Sequence, residues 1–516
     1  MTDRLDRALE RLPCAYPGPG GAVAVLREGE VLARHAWGWA NAERRIPFTP
    51  HSLFRVCSIT KQFTCSLVLE SFPDPSVLDG DVRARLPRLE QEAPGALHLC
   101  HNQSGLRDYW AVAMLHGAEA EDAFGEAEAA GVIAGMRTLQ FAPGARYSYA
   151  NQNFRLLADI LQARADRGFA ELLRSAIFDR VGMADAFVAA DTRAMPDGTE
   201  GYEGSQAGGF RAAENRILWV GDAGMGASLD DMIAWERHID TTRDDPNSIY
   251  RRLTAPTRFS DGAQAGYGFG LGRRSELGRQ VTGHGGALRG WRSHRLYAPD
   301  ERISVVVLFN HMSDAHDAAL DLFAAALDED QPPRAATTAP SPEWLGPYLE
   351  PETGLSVRIE AAADSQVLLR YGYPPQLLDL HADGAEGDGG SRLRAHDGEL
   401  WMDLPRDNQI SRLQPCAGAA VTDIAGRYRC AELDAELTVA DAGGALYGAF
   451  SGFLGQGRME LLEPVGGRVW AAPCARALDH TPPGDWTLAF AEEAAGPATS
   501  VQVGCWLARG LTFSRA

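Results

Sequence analysis

Residues 57–67 read Cys57-Ser58-Ile59-Thr60-Lys61-Gln62-Phe63-Thr64-Cys65-Ser66-Leu67. Ile59, Phe63 and Leu67 recur at intervals of four, which predicts a helix over 59–70 with one apolar stripe. Ser58 and Lys61 are three apart and share a face of that helix. The positive end of a helix favours negative charge developing on Ser58 or its adduct. A serine hydroxyl needs a base, and an amine whose pKa is lowered by burial can serve. Lys61 is the only lysine in the chain, and every other basic residue is arginine. Arginine does not give up its proton in a protein, whereas a desolvated lysine does. An amine that must act as a base is therefore expected at this position.

Two further segments carry chemistry. Tyr149-Ala150-Asn151 follows the turn Pro143-Gly144 and precedes a helical pattern. In extended backbone, residues i and i+2 point the same way, so the phenol and the amide would face one site. A phenol can relay a proton to a leaving group, and an amide can hold both an amine and a substrate carbonyl. Tyr147 is a neighbouring alternative, but its i+2 residue is a second tyrosine. His284-Gly285-Gly286 lies in the strand-like run 279–291, where glycines would let a substrate backbone approach.

Taken together, Ser58-x-x-Lys61, Tyr149-x-Asn151 and His284-Gly285-Gly286 resemble the three motifs of the penicillin-recognising serine hydrolases in order and spacing. That family includes class C β-lactamases, D,D-peptidases, esterases and aminopeptidases. The resemblance covers residues 1 to about 330 and extends to 99–110, 141–154, 224–235 and 267–272. It implies Ser58 as nucleophile, Lys61 and Tyr149 as the proton-transfer pair, and Asn151, His284 and Gly286 beside the substrate. It also implies an oxyanion hole from the backbone N–H groups of Ser58 and Ala287. It leaves open which of Lys61 and Tyr149 is the acylation base. The third motif is often Lys-Thr-Gly in this family. A histidine, largely neutral near pH 7, binds a carboxylate less well than lysine. β-Lactam hydrolysis and carboxypeptidase action are accordingly the secondary expectation, beside a related esterase and an inactive penicillin-binding-like protein.

The fold class expected is α+β. Strand patterns at 21–38, 279–284 and 293–309 flank helical patterns at 59–70, 154–185 and 229–240, which suggests one antiparallel sheet built from both ends of residues 1–330. A Pro-, Ala- and Thr-rich linker occupies 331–343. Two antiparallel β-barrels are expected beyond it, at 344–418 and 419–516, because Gly346-Pro347-Tyr348 with Glu352 and Val357 repeats as Gly426-Arg427-Tyr428 with Glu432 and Val439. A hydrolase domain followed by two such repeats resembles the D-aminopeptidase branch of the family. The resemblance implies release of small N-terminal D-residues from short peptides, amides and esters with a free amine. It also implies a loop of the last domain that reads the substrate ammonium. Residues 477–485 match that loop best, with Asp479 as the expected carboxylate and Asp485 as the fallback. A homodimer is expected on the same ground.

The composition, 45% hydrophobic and 23% charged, is the balance of a soluble globular protein. The 516 residues carry 49 basic and 69 acidic side chains, a formal charge of −20 that repels phosphate backbones and anionic lipid. Nucleic acid and membranes are thus poor partners. No stretch has the length of a membrane span and the N-terminus has no apolar leader, so a cytoplasmic location is expected. The eight cysteines show no metal spacing, and Cys57 and Cys65 would sit about 12 Å apart on a helix. Reduced, mostly buried thiols and a reaction without cofactor or metal are expected.

Overall fold

In Gly20–Arg27 the side chains alternate between the two faces of a sheet. Val23 and Val25 join Val305 and Val307 on one face, and Ala22, Ala24 and Leu26 join Val306 and Leu308 on the other. A strand buried on both sides must be apolar, and this one is so from Gly20 to Leu26, with Arg27 at its less buried end. The computed structural model describes residues 3–329, 344–362, 365–372, 375–381, 383–387, 389–474, 476–479, 484–491 and 497–516.

Gly20–Arg27 turns through Glu28 (φ 56°) and Gly29 (φ 77°) into Glu30–Asn41, a hairpin geometry that needs positive φ at both central residues. It pairs on its other edge with Ile303–Phe309, in the register Val23 to Val307. Among the described residues the sheet has eight antiparallel strands. Their order is Tyr267–Gly268, Leu271–Glu276, Arg279–Leu288, Trp291–Ala298, Ile303–Phe309, Gly20–Arg27, Glu30–Asn41 and Ile46–Pro47. Helices Asp3–Ala15 and Ala315–Leu327 cover one face. Helices Thr60–Ser71, Asn151–Ala165 and Leu229–Thr241 lie in the core on the other. Across that face Arg295 and Glu236, both fully buried, form a bidentate pair at 2.6 and 2.8 Å.

Two helical expectations change in detail. Thr60–Ser71 has no apolar stripe, because every residue from Thr60 to Leu69 is buried; it is a core helix packed on all sides. The pattern over 154–185 divides where Asp166 turns left-handed (φ 50°) and ends the helix Asn151–Ala165; Phe169–Leu173 starts anew. The pattern over 229–240 forms Leu229–Thr241, closed at its start by a reciprocal Ser228–Asp231 capping box.

The expected linker 331–343 lies outside the described residues. Beyond it, eight strands from Gly346–Glu350 to Gln409–Pro415 close into a barrel filled by Val357, Ile359, Leu369, Leu378, Met402 and Leu413. A second antiparallel sheet follows from Gly426–Cys430 to Ala508–Arg515, and its ladder stays open at its ends among the described residues. Its apolar side merges with the core of the hydrolase part. The internal repeat holds with one shift. Tyr348 pairs with Val357 and Tyr428 with Leu437, so Val357 corresponds to Leu437, and Ile359, not Val357, corresponds to Val439. The two glutamates of the repeat both reach back to the first part of the chain. Glu352 pairs with Arg146, and Glu432 with Arg107 at 3.1 Å.

Candidate active site

Ser58 sits in a single 3-10 turn, Cys57–Ile59, that runs directly into the helix Thr60–Ser71. Cys57 is held in the left-handed region (φ 50°), a conformation that a non-glycine residue keeps only under constraint. The constraints are visible. Thr60 Oγ1 donates to the Cys57 carbonyl at 2.6 Å and accepts from the Met225 N–H at 3.1 Å. Ser293 Oγ donates to the Val56 carbonyl at 3.0 Å. A sharp turn held in this way presents the Ser58 hydroxyl, which is half-buried, at the mouth of a buried helix.

Lys61 is fully buried. Its Nζ lies 3.0 Å from Ser58 Oγ, 2.9 Å from Asn151 Oδ1 and 2.7 Å from the Asp222 carbonyl. Burial lowers its pKa from 10.5 to about 8, against the opposing charges of Asp222, Asp108 and Asp479. The geometry decides where the lone pair of the neutral amine points. Both carbonyl oxygens can only accept, so they take its two protons. The remaining direction faces Ser58, whose hydroxyl then donates to Nζ.

Tyr149 and Asn151 flank the extended residue Ala150 (φ −143°, ψ 107°) and both face this centre. Tyr149 hydrogen-bonds Ser58, and its ring lies 4.8 Å from Lys61 Nζ. Burial pushes the phenol well above its ordinary pKa, so it stays protonated. Asn151 is the first helical residue and not its cap, since Ala150 occupies that position. Asn151 donates to Asp108 from its backbone (2.6 Å) and from Nδ2 (3.0 Å). Burial raises Asp108 to about 6, and the bonds from Asn151 counter that effect.

His284 stands on Arg279–Leu288. Its Nδ1 lies 2.5 Å from the Gly285 carbonyl, which can only accept, so Nδ1 carries the proton and Nε2 accepts from the Tyr267 hydroxyl at 3.1 Å. Burial, with the nearby Lys61, lowers its pKa to about 3, so it is neutral throughout the physiological range. Gly286 packs against the turn of the serine: a Cβ there would overlap the Val56 carbonyl and Ser293 Oγ. What demands glycine at this position is thus the protein's own turn. Among the described residues, the ladder with Leu271–Glu276 ends at the pair Gly272–Gly283. His284, Gly286 and Ala287 therefore lie on a stretch whose outer edge is free of that neighbour.

Asp479 comes from the open sheet's side of the chain and is buried at 6% exposure. Its charge is felt at Lys61, Tyr149 and Cys57, in each case favouring the protonated form. Arg476, three residues earlier, ties this segment down by ion pairs to Glu121 (3.3 Å) and Glu203 (3.4 Å). Residues 480–483 of the expected loop lie outside the described residues. Asp485 is elsewhere: it lines a cavity with Arg358, Arg370, Tyr371 and Trp506 between the barrel and the open sheet. Of the two carboxylates, Asp479 is the one whose charge is felt at Lys61 and Tyr149.

Sequence reasoning missed several neighbours. Asp108 lies in the quoted stretch 99–110, and its position before Tyr109–Leu115, where it caps the helix through the Trp110 N–H at 3.0 Å, is a signal that could have singled it out. Asp222 acts on Lys61 through its backbone carbonyl, which no residue type announces; its carboxylate accepts from Tyr109 at 2.6 Å. The third part of the chain supports Asp108 as well, since the Asp108 N–H donates to the Leu507 carbonyl at 2.9 Å. All eight cysteines are unpaired, six of them buried. Among the described residues, one group has metal-ligand spacing: the exposed Asp314 and Asp317 with the partly buried His316. It lies at the start of Ala315–Leu327, on the opposite face of the sheet. No helix among the described residues is long and apolar enough to cross a membrane.

Two family models match along the chain, one described as β-lactamase over residues 5–329 and one as D-aminopeptidase, domain B, over 337–514. A D-aminopeptidase of Gluconobacter oxydans is 59% identical over 99% of this chain and 98% of its own. The chain belongs to the D-aminopeptidase family. A D-aminopeptidase of Brucella canis is 44% identical over the same shares of both chains. Among solved structures, an octameric penicillin-binding protein homologue from Pyrococcus abyssi matches with TM-score 0.54 at 20% identity, covering 80% of this chain and 99% of its own. A D-amino acid amidase from Ochrobactrum anthropi matches with TM-score 0.51 at 17% identity, covering 64% and 99%. At these identities the two structures bear on the fold alone.

Proposed function

We propose that the chain is a serine aminopeptidase that releases small N-terminal D-residues, D-Ala above all, from peptides, amides and esters. The observation that carries this reading is the fully buried amine of Lys61, 3.0 Å from Ser58 Oγ, at which the charge of the buried Asp479 is felt. The Ser58 hydroxyl gives its proton to neutral Lys61 and its oxygen bonds to the substrate carbonyl carbon. The oxyanion is received by the backbone N–H groups of Ser58 and Ala287, a contribution that is often the largest in acyl transfer. Tyr149, kept protonated by burial, passes a proton to the departing amine and is refilled from Lys61. The C–N bond breaks and leaves an ester on Ser58. Water, deprotonated by the same pair, hydrolyses that ester and restores the hydroxyl. In this scheme Lys61 is the acylation base and Tyr149 the relay.

Asp479 takes the substrate ammonium, which an N-acylated substrate lacks. Asn151 and the free edge at His284–Ala287 hold the substrate backbone. The test is hydrolysis of D-Ala-, L-Ala- and N-acetyl-D-Ala-p-nitroanilide. Cleavage of the first alone supports the reading; equal cleavage of the acetylated compound replaces it with an esterase-like hydrolase. We further infer a cytoplasmic homodimer, on the strength of the family resemblance and the unpaired thiols. Light scattering of the purified chain checks the dimer.

A further inference from the structure

The turn Pro405–Asp407 of the closed barrel is seated on the segment that leads to Tyr149. Asn408 closes it in the left-handed region (φ 54°) and donates through Nδ2 to the Ala145 carbonyl (3.0 Å) and to Asp261 (2.9 Å). The Tyr147 N–H donates to the Asp407 carbonyl at 3.3 Å, and the Trp506 indole donates to the Asp407 carboxylate at 2.9 Å. Bonds from three separate segments fix the turn, and with it the direction of Arg406.

The Arg406 guanidinium lies over the rings of Tyr147 (4.8 Å) and Trp506 (5.5 Å), and its Nη2 donates to the Tyr147 hydroxyl at 2.9 Å. A guanidinium carries five N–H donors in one plane. The rings hold that plane and the phenol engages one donor. The residue nevertheless stays solvent-exposed. Among the described residues it forms no ion pair: the neighbouring Asp407 carboxylate contributes charge to it but is engaged by the Trp506 indole and lies 3.8 Å from Arg509. This is a cation with its orientation fixed and its remaining donors unused. It also belongs to the active-site wall: Tyr147 packs on Tyr267 at 5.4 Å, Tyr267 bonds His284, and the His284 ring lies 6.2 Å from that of Tyr149.

We propose that Arg406 is the carboxylate anchor of this site, taking the C-terminal carboxylate of a short peptide whose N-terminal ammonium is held by Asp479. The inference rests on the aminopeptidase reading and makes short D-peptides with a free C-terminus the preferred members of its substrate class. A planar fork pairs with a carboxylate through two parallel hydrogen bonds, which a neutral histidine cannot offer. The place that Lys-Thr-Gly gives a cation in related enzymes holds neutral His284 here, and the barrel brings a cation in from outside. The charge of Asp479 is felt at Lys61 and Tyr149, and Arg406 lies over Tyr147, so a negative and a positive group both belong to the surroundings of the reacting centre. Arg406 touches Tyr147, two residues before Tyr149, so its free donors lie on the same wall of the site as the relay phenol.

The test compares kcat/KM for D-Ala-Gly-Gly and D-Ala-Gly-Gly-Gly with their C-terminal amides, using wild type, Arg406→Gln and Arg406→Lys. Wild type should prefer the acid by about tenfold or more for at least one length, carried in KM, as expected for one charge-assisted pair. Arg406→Gln should bring the acid-to-amide ratio to about one, and Arg406→Lys should retain part of it. Equal rates for acid and amide in wild type overturn the proposal without any variant. A preference that survives Arg406→Gln overturns it too. Failure of wild type to cleave D-Ala-p-nitroanilide rejects the aminopeptidase reading itself, and this inference with it.

Discussion

Asp108 fixes which way Asn151 faces. The carboxylate accepts from Asn151 Nδ2 at 3.0 Å, so the other end of the amide, Oδ1, is the one presented to Lys61 at 2.9 Å. A reversed amide would put two donors face to face with the lysine. Asp108→Asn should therefore leave the fold in place while disordering Asn151, and kcat should fall roughly 10- to 100-fold, in line with the ~1–3 kcal/mol of a lost buried hydrogen bond. Steady-state kinetics with circular dichroism as the folding control check this.

Lys61 and Asp108 together set the pH profile. The amine works only when neutral, so kcat/KM should rise with pH through about 8. Below about 6 Asp108 takes up a proton, its grip on Asn151 weakens, and the fall should steepen. His284, lowered to about 3, should add no break between pH 5 and 9. Folding lowers the pKa of Lys61, so between about 8 and 10.5 the unfolded chain binds the extra proton and native stability rises with pH across that window. A kcat/KM profile flat from pH 6 to 9 would rule out the lysine as base.

Lys61→Arg keeps the charge and loses the base. The loss in kcat should be on the order of 10²–10⁴, the usual range for a general base, with little loss of folded protein. Retention of more than a tenth of wild-type kcat, measured with D-Ala-p-nitroanilide, would contradict the scheme.

Asp479 and Asp485 should behave differently despite their proximity in sequence. Asp479→Ala should raise KM for free-amine substrates about tenfold or more, the worth of a charge-assisted contact. Asp485→Ala, facing Arg358 and Arg370 in a separate cavity, should leave that KM within about twofold. The reverse order would place the ammonium site elsewhere.

Gly286→Ala introduces a methyl that overlaps the backbone just before the serine and Ser293. Overpacking of this kind costs about 1–3 kcal/mol, more where backbone must move. A lowered thermal midpoint together with lost activity is expected, since the same contact supports the turn of Ser58.

The parts of the site that were legible in the sequence are those whose function lies in the residue type and whose spacing is local. Ser58 with Lys61 is one helical turn, and Tyr149 with Asn151 is one extended step. Asp222 was invisible because it contributes a carbonyl, which every residue has. Arg406 was invisible because its position, more than 250 residues after Tyr147, is set by how a barrel docks. The sheet was readable from the near-continuous apolar runs in 20–26 and 303–309. The stripe expected on Thr60–Ser71 was not there, because polar residues such as Gln62, Thr64 and Ser66 are buried beside apolar ones and periodicity alone does not reveal this. In the repeat, Glu352 and Glu432 were recognisable but their two-residue context was not, since register depends on pairing across strands.

A protein of 55.7 kDa with one lysine is its own spectroscopic reporter. Grown on lysine carrying a nitrogen label at Nζ, it should give a single side-chain amine signal, and that signal is the active-site base. Its titration, its response to an acylating substrate and its response to a bound D-residue could each be followed with no background from the surface. In the denatured chain, a lysine-specific protease would make one cut, after residue 61, so any adduct on Ser58 would be recovered on the short N-terminal fragment.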